Sequence, residues 1–118
     1  MGLSSQMLDV WFTAREHKIV RIISHRAIRE FTASHRAATQ PLDDWYRIAK
    51  KAAWNNLAEV RMIYPHADFV GSCVVFNIGG NKWRLISKIA FNRHVLLDRF
   101  ILTHKDYDKG GWKHDCGA

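Results

Sequence analysis

Three β-rich runs joined by connections too short for a crossover constrain this chain most. Phe69 to Phe76 is apolar and β-rich, and Asn77-Ile78-Gly79-Gly80-Asn81 reads as a turn. Lys82 to Phe91 is a second run, Asn92-Arg93-His94 a tight connection, and Val95 to Leu102 a third run. Parallel strands need a dozen or more residues between them, so these runs can pair only as an antiparallel meander. Gly79 and Gly80 supply the positive φ that such a hairpin turn requires.

What precedes the meander has helical spacing. Ile19-Val20-Arg21-Ile22-Ile23 reads as a short strand, and Ser24 as the N-cap of a helix whose apolar stripe is Ala27, Ile28 and Phe31. Pro41 suits the first turn of a second helix, along which Leu42, Trp45, Ile48, Ala49, Ala52 and Ala53 continue the stripe, and Asn55-Asn56 ends it. The segment Leu57 to Tyr64 is ambiguous. The expectation is an α+β fold: a small antiparallel β-sheet of about four strands packed on an N-terminal helical hairpin. At 118 residues it makes one domain, 19–118, with a short polar C-terminal tail; residues 1–18 read as an N-terminal extension.

Composition narrows the function classes. No apolar stretch approaches the length of a membrane span and no signal-peptide pattern opens the chain, so the expected location is cytoplasmic. The two cysteines, Cys73 and Cys116, leave a disulfide open, but two separate thiols are the preferred reading for a reducing compartment. Two distant cysteines and seven scattered histidines match no metal-site spacing, so no metal and no cofactor are expected. Gly79-Gly80 lacks the phosphate-loop pattern, and no Gly-x-Ser-x-Gly elbow occurs.

The net charge is +7 and unevenly spread. Residues 82–105 carry six cations (Lys82, Arg84, Lys88, Arg93, Arg99 and Lys105) against Asp98 alone, whereas residues 41–68 balance at zero. That pattern suits a polyanion or an acidic protein partner; its ordinary alternative is a solvated basic face. Alternation along Lys82–Phe91 puts Trp83, Leu85, Ser87, Ile89 and Phe91 on one face, toward the helices, and Lys82, Arg84, Ile86, Lys88 and Ala90 on the other. The cations then repeat at a spacing that matches a phosphate-bearing chain, although an exposed sheet face often carries such cations. Arg can grip a phosphate with two hydrogen bonds, and Lys acts as a point charge. Thr103-His104-Lys105-Asp106-Tyr107 closes the third run. His104 offers an imidazole, a group suited to proton transfer, and Tyr107 suits hydrogen bonding or base stacking. Strand parity leaves open which face His104 and Arg99 share with Arg84.

Taken together and in this order, Asn77-Ile78-Gly79-Gly80-Asn81-Lys82-Trp83-Arg84-Leu85-Ile86 and Thr103-His104-Lys105-Asp106-Tyr107-Asp108 resemble the HigB-type toxins of the RelE/ParE-like superfamily. The opening Arg21-Ile22-Ile23-Ser24 resembles the family's start. The resemblance runs from about Val20 to about Trp112. It implies a RelE/ParE-like fold and a metal-independent endoribonuclease that cuts mRNA at the ribosome. It also implies a helix-turn-helix antitoxin as partner. On that reading the RNA 2′-hydroxyl attacks the adjacent phosphorus. Arg84 stabilises the phosphorane with Lys88 beside it, His104 acts as acid or base, and Tyr107 stacks or relays a proton; Lys88 and His104 can exchange jobs. Asn81, Lys82, Arg93, Arg99 and Lys105 are the further RNA-binding candidates. A gyrase-poisoning toxin of the same fold and a non-catalytic RNA-binding module are the alternatives.

Overall fold

The computed structural model describes residues 21–117 apart from Ser24; the expected extension over 1–18 and the Ser24 cap lie outside them. The chain runs β1 (Arg21–Ile23), α1 (His25–Ser34), a 3-10 turn (Arg36–Ala38), α2 (Thr39–Ala52), α3 (Leu57–Ile63), β2 (Asp68–Val70), β3 (Cys73–Ile78), β4 (Trp83–Ala90), a 3-10 turn (Phe91–Arg93), β5 (Val95–Thr103), α4 (His104–Lys109) and a last 3-10 turn (Gly111–Cys116). The sheet order is β1-β5-β4-β3-β2. Strands β2 to β5 are antiparallel neighbours, as the short connections required. The first strand extends that sheet to five by lying parallel to β5, because the intervening helices provide the crossover that parallel pairing needs.

The helices cover one sheet face. Leu42, Trp45 and Ala49 of α2 are buried at helical spacing, with Ile28 of α1 and Val60 of α3. They join Val74, Phe76, Ile78, Leu85 and Leu96 in the principal core. Phe76 stands at its centre, in ring contact with Trp45, Trp54 and Tyr64. Among the described residues no helix is long and apolar enough to cross a membrane.

Several expectations need correction. Leu57 to Ile63 is a helix, started by Asn56, whose side chain accepts from Glu59 N at 2.9 Å. The Asn-x-x-Glu spacing is a capping signal hidden by the brevity of the helix. The run Phe69–Phe76 is not one strand: Gly71, at φ +60°, turns it into the hairpin β2–β3. The short polar tail is folded. Thr103 caps α4 by accepting from Asp106 N at 3.2 Å, and Gly110, at φ +76°, ends it.

The largest correction concerns the cysteines. Cys73 and Cys116 are joined in a disulfide that closes 43 residues of sequence separation. The Ser72 backbone N–H and hydroxyl both donate to the Cys116 carbonyl, at 2.8 and 3.3 Å. The terminal turn therefore lies over the sheet's second face. There Cys73, Val75, Ile86, Trp112 and Cys116 form a smaller core, with Phe100, Leu102 and Tyr107 packed on it. The basic face expected to be open is partly roofed.

Candidate active site

The site is built at the end of β4 and β5 next to the Gly79–Lys82 turn. Gly79 and Gly80 take φ +63° and +71°. A Cβ on Gly79 would stand 2.7 Å from the Trp83 ring, so the turn can close against that indole only with glycine there. The turn brings Asn81 back over Arg84. The Arg84 guanidinium donates to Asn81 Oδ1 at 2.6 Å, to the Asn81 carbonyl at 3.2 Å and to the Trp83 carbonyl at 3.3 Å. It also lies 5.1 Å from the Tyr107 ring centroid, a cation–π contact. Arg84 is 8 % exposed, so it is a fixed charge with little of its surface open to a ligand.

Register settles the face that sequence parity left open. Arg84 is opposite Leu102, and Ile86 is opposite Phe100. A shift follows: Ser87 pairs with Asp98, leaving Arg99 as the extra residue of a β-bulge on β5. The bulge turns Asp98 toward the helix-side face with Ser87, and frees Arg99 to reach the terminal turn. Arg99 donates to both carboxylate oxygens of Asp115, at 2.6 and 2.8 Å. That pair, first through its hydrogen bonds, raises the Arg99 pKa and lowers that of Asp115. Arg99 is thus already engaged, and Lys88 lies close enough to help hold Asp115 ionised. Lys88 is four residues from Arg84, roughly 13 Å along a strand, at the end nearer Asp115.

His104 opens α4 at the Arg84 end of the sheet, one residue beyond Thr103, which pairs with Trp83. Its Nδ1 lies 3.2 Å from Asp108 Oδ2, and the imidazole is half exposed. A carboxylate on Nδ1 orients the ring and leaves Nε2 for a substrate proton. Lys82 and Lys105 are exposed at the same end, and the Lys82 ammonium lies 5.8 Å from the Trp83 ring. Arg93 is in the turn at the far end of β4, roughly 23 Å away over that strand's length. Among the sequence candidates, then, Asn81, Arg84 and Tyr107 touch. Lys82, His104 and Lys105 flank them, while Lys88, Arg99 and Arg93 are elsewhere.

Sequence reasoning missed two members. Asp108 orients His104, and a four-residue spacing on a helix was the available signal. Trp112 stacks on Tyr107 with centroids 5.0 Å apart, and its indole N–H donates to the Tyr107 carbonyl at 2.9 Å. An aromatic in a glycine-rich tail was its only trace. No group of three or more His, Cys, Asp or Glu among the described residues is arranged to hold a metal ion. A groove of about 620 Å³ lined by Ile48, Ala52 and Ile63 lies among the helices and shares no residue with this site. An extended strand ligand needs an open surface rather than that cavity.

A small, mostly antiparallel sheet covered on one face by helices defines a compact α+β class. More specifically, the family model for HigB toxins, the RelE-like toxic component of a toxin–antitoxin system, matches residues 38–110, well over half of the chain, and this chain belongs to that family. A relative from Escherichia coli O6:H1, named mRNA interferase HigB, is 27% identical over 93 residues, covering 76% of this chain and 90% of the relative. The mRNA interferase toxin HigB of Escherichia coli (strain K12) and the mRNA interferase HigB of Shigella flexneri are each 22% identical over 92 residues, covering 75% of this chain and 88% of the relative.

Proposed function

We propose that this toxin is a metal-independent endoribonuclease that cleaves mRNA at the ribosome in the cytoplasm and is neutralised by a helix-turn-helix antitoxin. The observation that carries the reading is the convergence of Asn81, Arg84 and Tyr107 beside the half-exposed His104. The printed names of the relatives support it. In this reaction the 2′-oxygen bonds to phosphorus and the bond to the 5′-oxygen breaks. A 2′,3′-cyclic phosphate and a 5′-hydroxyl result. The 2′-hydroxyl loses a proton and the 5′-oxygen gains one, so one cycle is proton-neutral.

Arg84 supplies fixed positive charge where the phosphorane forms. Such a preorganised group costs no reorganisation during reaction and is worth about 10²–10³ in rate. His104, oriented by Asp108, moves one proton, and the Tyr107 hydroxyl relays the other. Lys82 and Lys105 draw the RNA backbone to the site by charge. Lys88, Arg99 and Arg93 would then bind flanking phosphates or none.

The test is the purified chain in a translating extract. Internal cuts in the message with 2′,3′-cyclic phosphate ends are expected. Arg84→Ala should lower cleavage by roughly 10²-fold or more, and His104→Ala by about 10²–10⁴. Intact message with stalled gyrase would overturn the reading. So would RNA binding without turnover that both variants merely weaken.

A further inference from the structure

The terminal turn Gly111–Cys116 lies on the same sheet face as Arg84, and its contacts form a connected path. Cys116 is bonded to Cys73 on β3. Asp115 is held by Arg99 on β5. Trp112, 5 % exposed, packs in the smaller core and stacks on Tyr107. Tyr107 in turn contacts the Arg84 guanidinium. Tyr107 lies on α4, a six-residue helix with no buried residue of its own. So short a helix is not stable alone, and the orientation of Tyr107 depends on what packs against it.

From this path we infer that Trp112 is a positioning residue for the Arg84–Tyr107 site, and that the Cys73–Cys116 bond tethers it as a redox-governed latch. With the bond closed, the indole holds the Tyr107 ring and carbonyl, and Tyr107 fixes one side of the guanidinium. With it open, the turn keeps the Trp112 packing, the Arg99–Asp115 pair and the Ser72 hydrogen bonds but no covalent tether. The ion pair and the hydrogen bonds are weak restraints at a partly exposed surface. Opening requires a dithiol reductant. Its thiolate attacks one sulfur, the sulfur–sulfur bond breaks, and two electrons pass to the protein. Two protein thiols form, and the reductant leaves as its own disulfide. Both cysteines are buried, so the reductant gains access by local fraying at the chain's end, and reduction leaves the 111–116 turn without its covalent tether. The inference deepens the proposed reaction at Arg84 and rests on it for the activity readout alone.

The experiment compares the chain with its bond intact and after non-denaturing dithiol treatment, verified by thiol count. Amide hydrogen exchange across 104–116 and across β4 is read together with kcat and KM for RNA cleavage. Reduction is expected to speed exchange over 104–116 at least about tenfold while β4 stays protected. It should lower kcat by about tenfold or more, since small misplacements at a reacting centre cost up to ~10²-fold, with KM changing less. Trp112→Ala should reproduce the kcat loss with the bond closed, and Trp112→Phe, which keeps a stacking ring, should recover most of it. The double variant Cys73→Ser/Cys116→Ser should match the reduced chain and ignore dithiol. Unchanged exchange over 107–112 on reduction overturns the latch, as does loss of β4 protection together with it. A Trp112→Ala chain with wild-type kcat overturns the positioning role. If the oxidised wild type cuts no RNA, the proposed reaction fails while the exchange arm still decides the latch.

Discussion

At the scale of single residues, the most unusual group is Asp98. It is 5 % exposed, and neither carboxylate oxygen has a hydrogen-bond partner among the described residues. Burial pushes its pKa up from 3.8 to about 8, because desolvation penalises the charged form. The folded state therefore holds a proton that the unfolded state has released. The associated stability is fully present below about pH 4 and is lost as pH rises toward 8. Urea unfolding at stepped pH should show that decline, and Asp98→Asn, which carries no titrating carboxyl, should flatten it. Above pH 8 the variant should be the more stable, because a neutral amide replaces a carboxylate whose charge burial penalises. His104 and Arg84 belong to the same scale. Their residue types were legible as candidates in the sequence, since imidazole and guanidinium announce their chemistry. The burial of Arg84 was not, because it depends on where α4 and the terminal turn lie, and the bond from His104 to Asp108 shows in the sequence only as a four-residue spacing that needs a helix there.

At the scale of elements, the Gly79–Gly80 turn and the β5 bulge do most to place the site. The turn was readable from its glycines, and two substitutions separate its two requirements. Gly80→Ala meets open space and bears only the left-handed backbone cost, about 1 kcal/mol. Gly79→Ala bears that cost and also drives a Cβ to 2.7 Å from Trp83, so it should destabilise by roughly 2–4 kcal/mol. Thermal unfolding of the pair checks the order; equal shifts would mean that the indole moves aside freely. The bulge was unreadable. Val95 to Leu102 is apolar on both faces apart from the adjacent Asp98 and Arg99, so alternation could not reveal the extra residue. That one-residue shift decides that Asp98 is buried against the helices while Arg99 reaches Asp115. The helix α3 is the opposite case: its Asn56 and Glu59 cap was written in the sequence, in a segment too short for periodicity to stand out.

At the scale of the whole molecule, two forces compete. The excess positive charge attracts RNA phosphates and repels itself. RNA affinity should fall steeply with added salt, and the slope should shrink by about one in Lys82→Ala or Lys105→Ala if each contacts one phosphate; filter binding from low to moderate salt measures it. Against that repulsion, the Cys73–Cys116 bond removes loop-closure entropy from the unfolded chain. For a sequence separation of 43 this is worth about 4 kcal/mol, so the reduced chain should unfold at clearly lower urea than the oxidised one. The sequence by itself determined the α+β class, the antiparallel meander and the candidate set around Arg84 and His104. These follow from connection length, hydrophobic period and side-chain chemistry, which act locally. Only the tertiary structure decided that the tail folds back, that its cysteine bonds to β3, and that Trp112 backs Tyr107 while Arg99 is drawn away to Asp115. Those contacts join residues far apart in the chain, and no local pattern encodes which distant partner a tail, a bulge or a thiol will meet.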